Sequence, residues 1–189
     1  DCSIAVFDLY GNFVRRIGSR GSGSGQLYYP DGLAIDNDGN VVVADSGNAR
    51  VVVFTPEGVE FLSFGAYGTG NGQFRSPERV AVDNDGNILV SDYMNNRVVV
   101  FSSGGDYLFA FGSQGTGNGK FSGPLGIRTT TDGSIYVADS GNARVQKFTS
   151  AGNFIGWLGA DETGNAGWHG VGTSNAGVKD TGACRFRTP

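Results

Sequence analysis

Apolar residues in this chain fall in short runs, cut by clusters of Gly, Asn, Asp and Ser. Arg79-Val80-Ala81-Val82-Asp83 is one such run, and Asn87 to Asp92, Arg97 to Phe101 and Asp106 to Phe111 follow it. Val, Ile, Phe and Tyr dominate the runs, so the pattern predicts strands, with no helical period in competition. Asn84-Asp85-Gly86 and Ser102-Ser103-Gly104-Gly105 carry turn chemistry, Gly supplying a positive φ. Tyr93 to Asn96 bridges the two middle runs. The expectation is a four-stranded antiparallel meander, its strands lettered a to d, followed by a Gly-rich connection.

The same pattern returns at a fixed period. Arg50, Arg97 and Arg144 stand 47 residues apart. Residues 44–50 and 138–144 are identical, as are 36–40 and 83–87, and 68–72 and 115–119. A period of this length points to an array of supersecondary units. A lone four-stranded sheet buries little, whereas sheets stacked face to face around an axis bury both faces. The fold class expected is therefore all-β, a β-propeller, with a solenoid as the rival. Blades are expected at about 32–65, 79–112 and 126–159, preceded by a half blade at 4–17. The chain ends on Phe186-Arg187-Thr188-Pro189, which looks like the lead-in to another strand a. It reads as a piece of a longer propeller with an incomplete ring; completion by a second copy, or open stacking, are the alternatives.

These units resemble NHL repeats. The resemblance rests on the lead-in Phe74-Arg75-Ser76-Pro77, the strand Val80 to Asp83, the Asp-Gly-Asn turn, the link Ala44 to Val51, and the glycines after Phe64. It covers residues 4 to 159. It implies a propeller that serves as a binding platform. Some NHL relatives bind RNA, some are extracellular sensor domains, and one enzyme branch is a metal-dependent amidating lyase.

Composition narrows these options. The 33 glycines recur at repeat positions and read as turn residues. A net charge of −4 gives no general attraction to nucleic acid, and no apolar run is long enough to span a bilayer. A single histidine, His169, supplies neither a metal-ligand set nor a nucleophile–base pair. The reading is a non-catalytic scaffold without cofactor, displaying loops to a protein, peptide or glycan. The alternatives are a self-associating extracellular filament or oligomer subunit, joined through open blade edges, and a fragment of a lyase-like or RNA-binding NHL domain. Few lysines, polar loops and terminal cysteines lean towards an extracellular or periplasmic location.

Two motifs fail on inspection. The Asp36 turn has Gly at its fourth position, where a calcium loop needs it at the sixth. Gly115 to Lys120 lacks the spacing and the Ser or Thr of a phosphate loop, and reads as a flexible connection. The repeated Asp45, Asp92 and Asp139, with Arg50, Arg97 and Arg144, are expected to be structural: Asp accepting loop amides, Arg pairing with an acid.

Departures from the repeat are the candidate partner-binding residues. Arg79 stands where Gly32 and Gly126 stand, Arg128 replaces Ala34 and Ala81, and Tyr93-Met94 replaces Ser46-Gly47 and Ser140-Gly141. Trp168 falls at the position of the lead-in Phe121, after which the period breaks in an irregular inserted loop, 169–185, holding His169 and Cys184. Trp168 and His169 join the candidates. Cys2 and Cys184 are expected on one face, as a candidate disulfide.

Overall fold

The structure, a computed structural model, is described for residues 2–160 and 165–170. β1 (Ile4–Phe7) and β2 (Phe13–Ile17) form a half blade, and β3 (Ser19–Arg20) pairs in parallel with β4 (Gln26–Leu27) across the connection that follows. Blade 1 is β5 (Pro30–Ile35), β6 (Val41–Asp45), β7 (Arg50–Phe54) and β8 (Glu60–Phe64). Blade 2 is β9 (Pro77–Val82), β10 (Ile88–Asp92), β11 (Arg97–Phe101) and β12 (Tyr107–Phe111). Blade 3 is β13 (Pro124–Thr129), β14 (Ile135–Asp139), β15 (Arg144–Phe148) and β16 (Phe154–Ala160), and a fifth strand, β17 (Ala166–Gly170), lies outside β16. All blade strands are antiparallel meanders. The first strands of neighbouring blades, β5, β9 and β13, lie against one another, which makes them the innermost. The sheets do not close into a ring among the described residues.

Alternation along each strand sends side chains to the two neighbouring blades. Val42, Ala44, Val51 and Val53 of blade 1 meet Val80, Ile88, Val90, Val99 and Phe101 of blade 2. Ala81, Leu89, Val98 and Val100 of blade 2 meet Ile127, Ile135, Val137 and Phe148 of blade 3. The half blade packs on blade 1 through Cys2, Ile4, Val6 and Ile17. The two interfaces between full blades are each locked by a lead-in aromatic. Phe74 and Phe121 are fully buried, with ring centroids 5.5 Å from Phe101 and Phe148 respectively. Burying such a ring stabilises by about 1.5–3 kcal/mol. The ring also dictates the glycine ending strand d. At Gly65, with φ of 101°, an added Cβ would lie 2.6 Å from the Phe74 ring. Gly112 repeats this against Phe121.

The hairpin turns cap themselves. Asp36 Oδ1 accepts the amides of Asp38 and Asn40 at 2.9 and 2.8 Å, and Asp83 does the same for Asp85 and Asn87 at 3.0 and 2.8 Å. These carboxylates are spent on backbone donors, as the failed calcium spacing suggests.

Two features differ from the sequence reading. The Gly-rich connections are not slack: the amides of Gly21, Gly68 and Gly115 each donate to the carbonyl of the following lead-in residue, Leu27, Phe74 or Phe121, at 2.9 Å. And Trp168 does not occupy a lead-in position. It sits on β17, directly opposite Leu158, and His169 lies opposite Trp157. The regular pairing thus runs on through Gly170, past the residue where the irregular loop was expected to begin. The physical reason is a hole. Gly156 stands where Leu62 and Phe109 stand in blades 1 and 2, and β17 closes over it: a Cβ there would lie 2.6 Å from the His169 carbonyl oxygen and 3.1 Å from the Trp168 indole.

Candidate functional site

The repeated Asp and Arg build the frame that holds the loops. Asp45, Asp92 and Asp139 are fully buried at the ends of β6, β10 and β14. Their Oδ1 atoms accept lead-in amides: Tyr28 at 2.6 Å, Arg75 and Ser76 at 3.0 and 3.1 Å, and Ser122 at 2.7 Å. Their Oδ2 atoms accept from Arg50, Arg97 and Arg144 Nε at 2.8, 3.3 and 2.8 Å. The other guanidinium nitrogens donate into the Gly-rich connection; Arg97 Nη2 reaches the carbonyls of Gly70 and Gln73 at 2.9 and 2.7 Å. Asn48, Asn95 and Asn142 complete the clamp by donating to Gly21, Gly68 and Gly115 carbonyls at 2.9 Å. A buried charge stands only when paired and hydrogen-bonded; here the Asp and Arg pair with each other, and their remaining bonds reach the loop being fixed.

On this frame blade 2 departs from its neighbours. In blades 1 and 3 the amides of Gly47 and Gly141 donate to the Tyr28 and Ser122 carbonyls at 2.8 Å. A Cβ at Gly47 or Gly141 would lie 2.6 Å from that carbonyl oxygen. Met94 carries a Cβ at this position. The donor moves one residue back and the acceptor one residue on, Tyr93 N donating to Ser76 O at 2.9 Å. The shifted link leaves Met94 63% exposed and sets the Tyr93 ring against Gly123 of blade 3, whose amide also donates to Asn96 Oδ1 at 2.9 Å.

Beside this link lies a charged cluster at the start of the inner strands. Ser76 Oγ donates to Glu78 Oε1 at 2.6 Å, and Arg79 pairs with Asp31 of blade 1. Burial raises the Glu78 carboxyl above its ordinary value, and the hydrogen bond and charge of Asp31 raise it further. Burial pushes Asp31 up too, but hydrogen bonds with Glu78 and Arg79 outweigh it and hold its pKa below the ordinary value.

The structure brings some candidates together and separates others. Arg79 and Arg128 line one cavity of about 330 Å³ with Gly126, Ile127, Tyr136, Ala138 and Val145. Tyr93 and Met94 stand at the loop end of blade 2, near Ser76 and Glu78. Trp168 and His169 stand four strands out from β13 on the rim of blade 3, where the Trp168 ring comes within 6.5 Å of Tyr136 of the Arg79–Arg128 cavity. There His169 stacks on buried Trp157 with centroids 4.0 Å apart, and Trp168 is half exposed. Cys2 is half-buried against blade 1, and Cys184 lies outside the described residues. Among the described residues no three His, Cys, Asp or Glu side chains gather as a metal site.

One group escaped the sequence reading. Arg128 pairs with Tyr136, Tyr136 with Lys147, and Lys147 with Gly156, forming a single row across blade 3. The corresponding rows are Ala34, Val42, Val53 and Leu62 in blade 1, and Ala81, Leu89, Val100 and Phe109 in blade 2. The 47-residue offset connects these positions one by one, but only the strand register shows that they form one row.

Fold and repeat together define a β-propeller segment. The NHL repeat model matches residues 27–54, 74–101 and 121–148, so the chain carries three NHL repeats in a β-propeller fold. A 45-residue stretch is 44% identical to the E3 ubiquitin-protein ligase TRIM71 of Rattus norvegicus, covering 24% of this chain and 5% of that protein. A streptogramin B lyase structure matches at TM-score 0.63 and 15% identity, over 93% of this chain and 64% of that one. Virginiamycin B lyase from Staphylococcus aureus matches at 0.61 and 12%, over 92% and 64%. A chain of the nidogen/laminin complex matches at 0.52 and 23%, over 66% and 45%. The chain thus spans less than two thirds of each of these proteins, and at these identities the solved structures speak to the fold alone. No helix among the described residues is long and apolar enough to cross a membrane.

Proposed function

We propose that this chain is a non-catalytic binding scaffold whose loop end on blade 2 receives a protein or peptide partner. The observation that carries it is the Met94 displacement. One side chain shifts the repeated loop hydrogen bond and turns a thioether out to solvent next to Tyr93, whose amide donates to Ser76; Ser76 in turn binds Glu78, the neighbour of Arg79, which pairs with Asp31. An adaptable thioether, an aromatic and an arginine on a rigid frame have the composition of a contact patch. The NHL repeat family supports a platform role, and a glycan is a further ligand within this reading. Location outside the cytoplasm belongs to it as well, with a Cys2–Cys184 disulfide; non-reducing intact-mass analysis should find the chain lighter by two hydrogens, and two free thiols would remove the disulfide.

The test is selection of a displayed peptide library on the chain. Selected peptides should bind Tyr93→Ser/Met94→Gly, which restores the residues of blades 1 and 3, at least about tenfold more weakly, a change of about 1.4 kcal/mol. Peptides that bind this variant as well as the native chain would contradict the assignment.

A further inference from the structure

The antiparallel meander sorts the connections by end. The a-to-b and c-to-d hairpin turns lie at one end of each blade, the b-to-c links and d-to-a connections at the other. The two ends differ in charge. The hairpin turns carry carboxylates and no lysine or arginine, and Asp38, Glu57, Asp85 and Asp106 among them are exposed. The self-capped carboxylates stay ionised: bonding to Asn12 holds Asp8 below its ordinary value, and the Thr130 hydroxyl brings Asp132 down to about 2. Arg15 and Lys147 approach this end from strands, and Arg15 is spent on the Pro56 carbonyl. At the loop end the carboxylates are already engaged, three in the buried clamps, Asp31 by Arg79 and Glu78 by Ser76. Arg20, Arg75 and Lys120 stand exposed there, and none pairs with a carboxylate among the described residues.

Both ends keep this character whatever lies beside a blade, because a neighbouring blade covers faces and leaves turns and links projecting. Pro56-Glu57 and Ser103-Gly104 stand between described blades on either side and remain exposed. Each end also exposes apolar side chains where the copies disagree. Leu9 and Tyr10 are almost fully exposed on the turn end, where the other c-to-d turns carry Pro56-Glu57, Ser103-Gly104 and Ser150-Ala151. Asp8 Oδ1 fixes that turn by accepting the amides of Tyr10 and Asn12 at 2.9 and 2.8 Å. On the loop end Tyr67 is exposed, where the other connections carry Arg20 and Gln114. Apolar contact among opposite charges is how protein surfaces pair. A phosphate backbone would gain only the separated cations of the loop end. The turn end of a second copy supplies both carboxylates and apolar side chains. Like ends repel, so copies meet head to tail, and such a heterologous contact runs on from copy to copy.

We propose that the acidic turn end of one copy docks on the cationic loop end of the next, so that the chain self-associates head to tail into open stacks. This goes beyond the loop-end reading and does not depend on it, because the charges lie outside Tyr93 and Met94. The test is multi-angle light scattering of the full chain over a concentration series. At low salt the weight-average mass should climb past that of a dimer without levelling. In about 1 M salt, where the screening length is about 3 Å, it should fall back to the monomer. Arg20→Glu/Arg75→Glu/Lys120→Glu should stay monomeric at low salt, and so should Asp38→Lys/Glu57→Lys/Asp85→Lys/Asp106→Lys. A mixture of these two variants should form pairs and nothing longer, since it retains one acidic turn end and one cationic loop end. Tyr93→Ser/Met94→Gly should associate as the native chain does. A native chain that stays monomeric or levels at a dimer would overturn the proposal. So would a mixture that fails to pair, or association that survives either set of charge reversals, which would place the contact on the blade faces.

Discussion

Among single residues, the buried Asp–Arg pairs are costly to break from one side, because removing one partner strands a buried charge. The pair in blade 3 is the most enclosed: neither Asp139 nor Arg144 exposes its side chain, while Arg50 and Arg97 remain 16% and 14% exposed. Gln146 adds to the enclosure, donating to Asp139 Oδ2 at 2.9 Å. Asp139→Ala should cost about 3–5 kcal/mol, read as the fall in unfolding free energy by urea titration, because it removes the buried carboxylate that Arg144 Nε and Gln146 both meet. A loss under about 1 kcal/mol would show that water replaces the carboxylate without penalty. The Glu78–Asp31 pair gives a pH signature. Glu78 has its pKa raised by folding, so its stabilising contribution is complete below its unfolded value near 4.5 and fades as pH climbs through the raised value. Asp31, lowered, acts in the opposite sense at the acid end: its contribution is present above its unfolded value near 3.8 and is lost as pH falls through the lowered one. Glu78→Gln keeps a donor for Asp31 and removes the titration. The melting temperature of the native chain relative to Glu78→Gln should therefore fall between pH 4.5 and neutrality, and parallel profiles would refute the raised Glu78 pKa.

Among elements, the connections and β17 show what strand patterning can and cannot convey. The four strands per blade were legible because each is an alternating run closed by turn residues. The repeated Asp and Arg were legible as structural because they hold fixed positions. Their reach into the Gly-rich connection was not, since the contacts span 24 to 28 residues and the acceptors are carbonyls that carry no sequence signal. β17 was missed for a related reason. Its sequence, AGWHG, has neither alternation nor β-branched residues, and it pairs because Gly156 leaves room for an indole. Filling that room should evict it. In Gly156→Leu, the amides of 166–170 should lose protection in hydrogen–deuterium exchange, while β14 and β15 keep theirs. Unchanged protection would mean that the strand pairs without the Trp168 contact.

For the whole molecule, the repeat and its failures divide the work. Positions that recur every 47 residues build blade interfaces and clamp loops, and the repeat alone made the propeller legible. Of the candidate sites, Arg79, Arg128, Tyr93 and Met94 were found by asking where the copies disagree. Tyr136, Lys147 and Gly156 were not, because they become one surface only when strand register aligns them with Arg128. The half blade and blades 1 and 2 each pass an apolar face to the next blade, whereas blade 3 presents charge. The central claim is that partners bind where the repeat is broken. The most direct test is a hydrogen–deuterium exchange footprint of a peptide selected on the native chain. Protection should appear at residues 75–79 and 93–96, the loop end of blade 2, with the hairpin turns 36–40 and 83–87 at the opposite end of the strands unchanged. Protection confined to those self-capped turns would place binding on repeated residues and contradict the account.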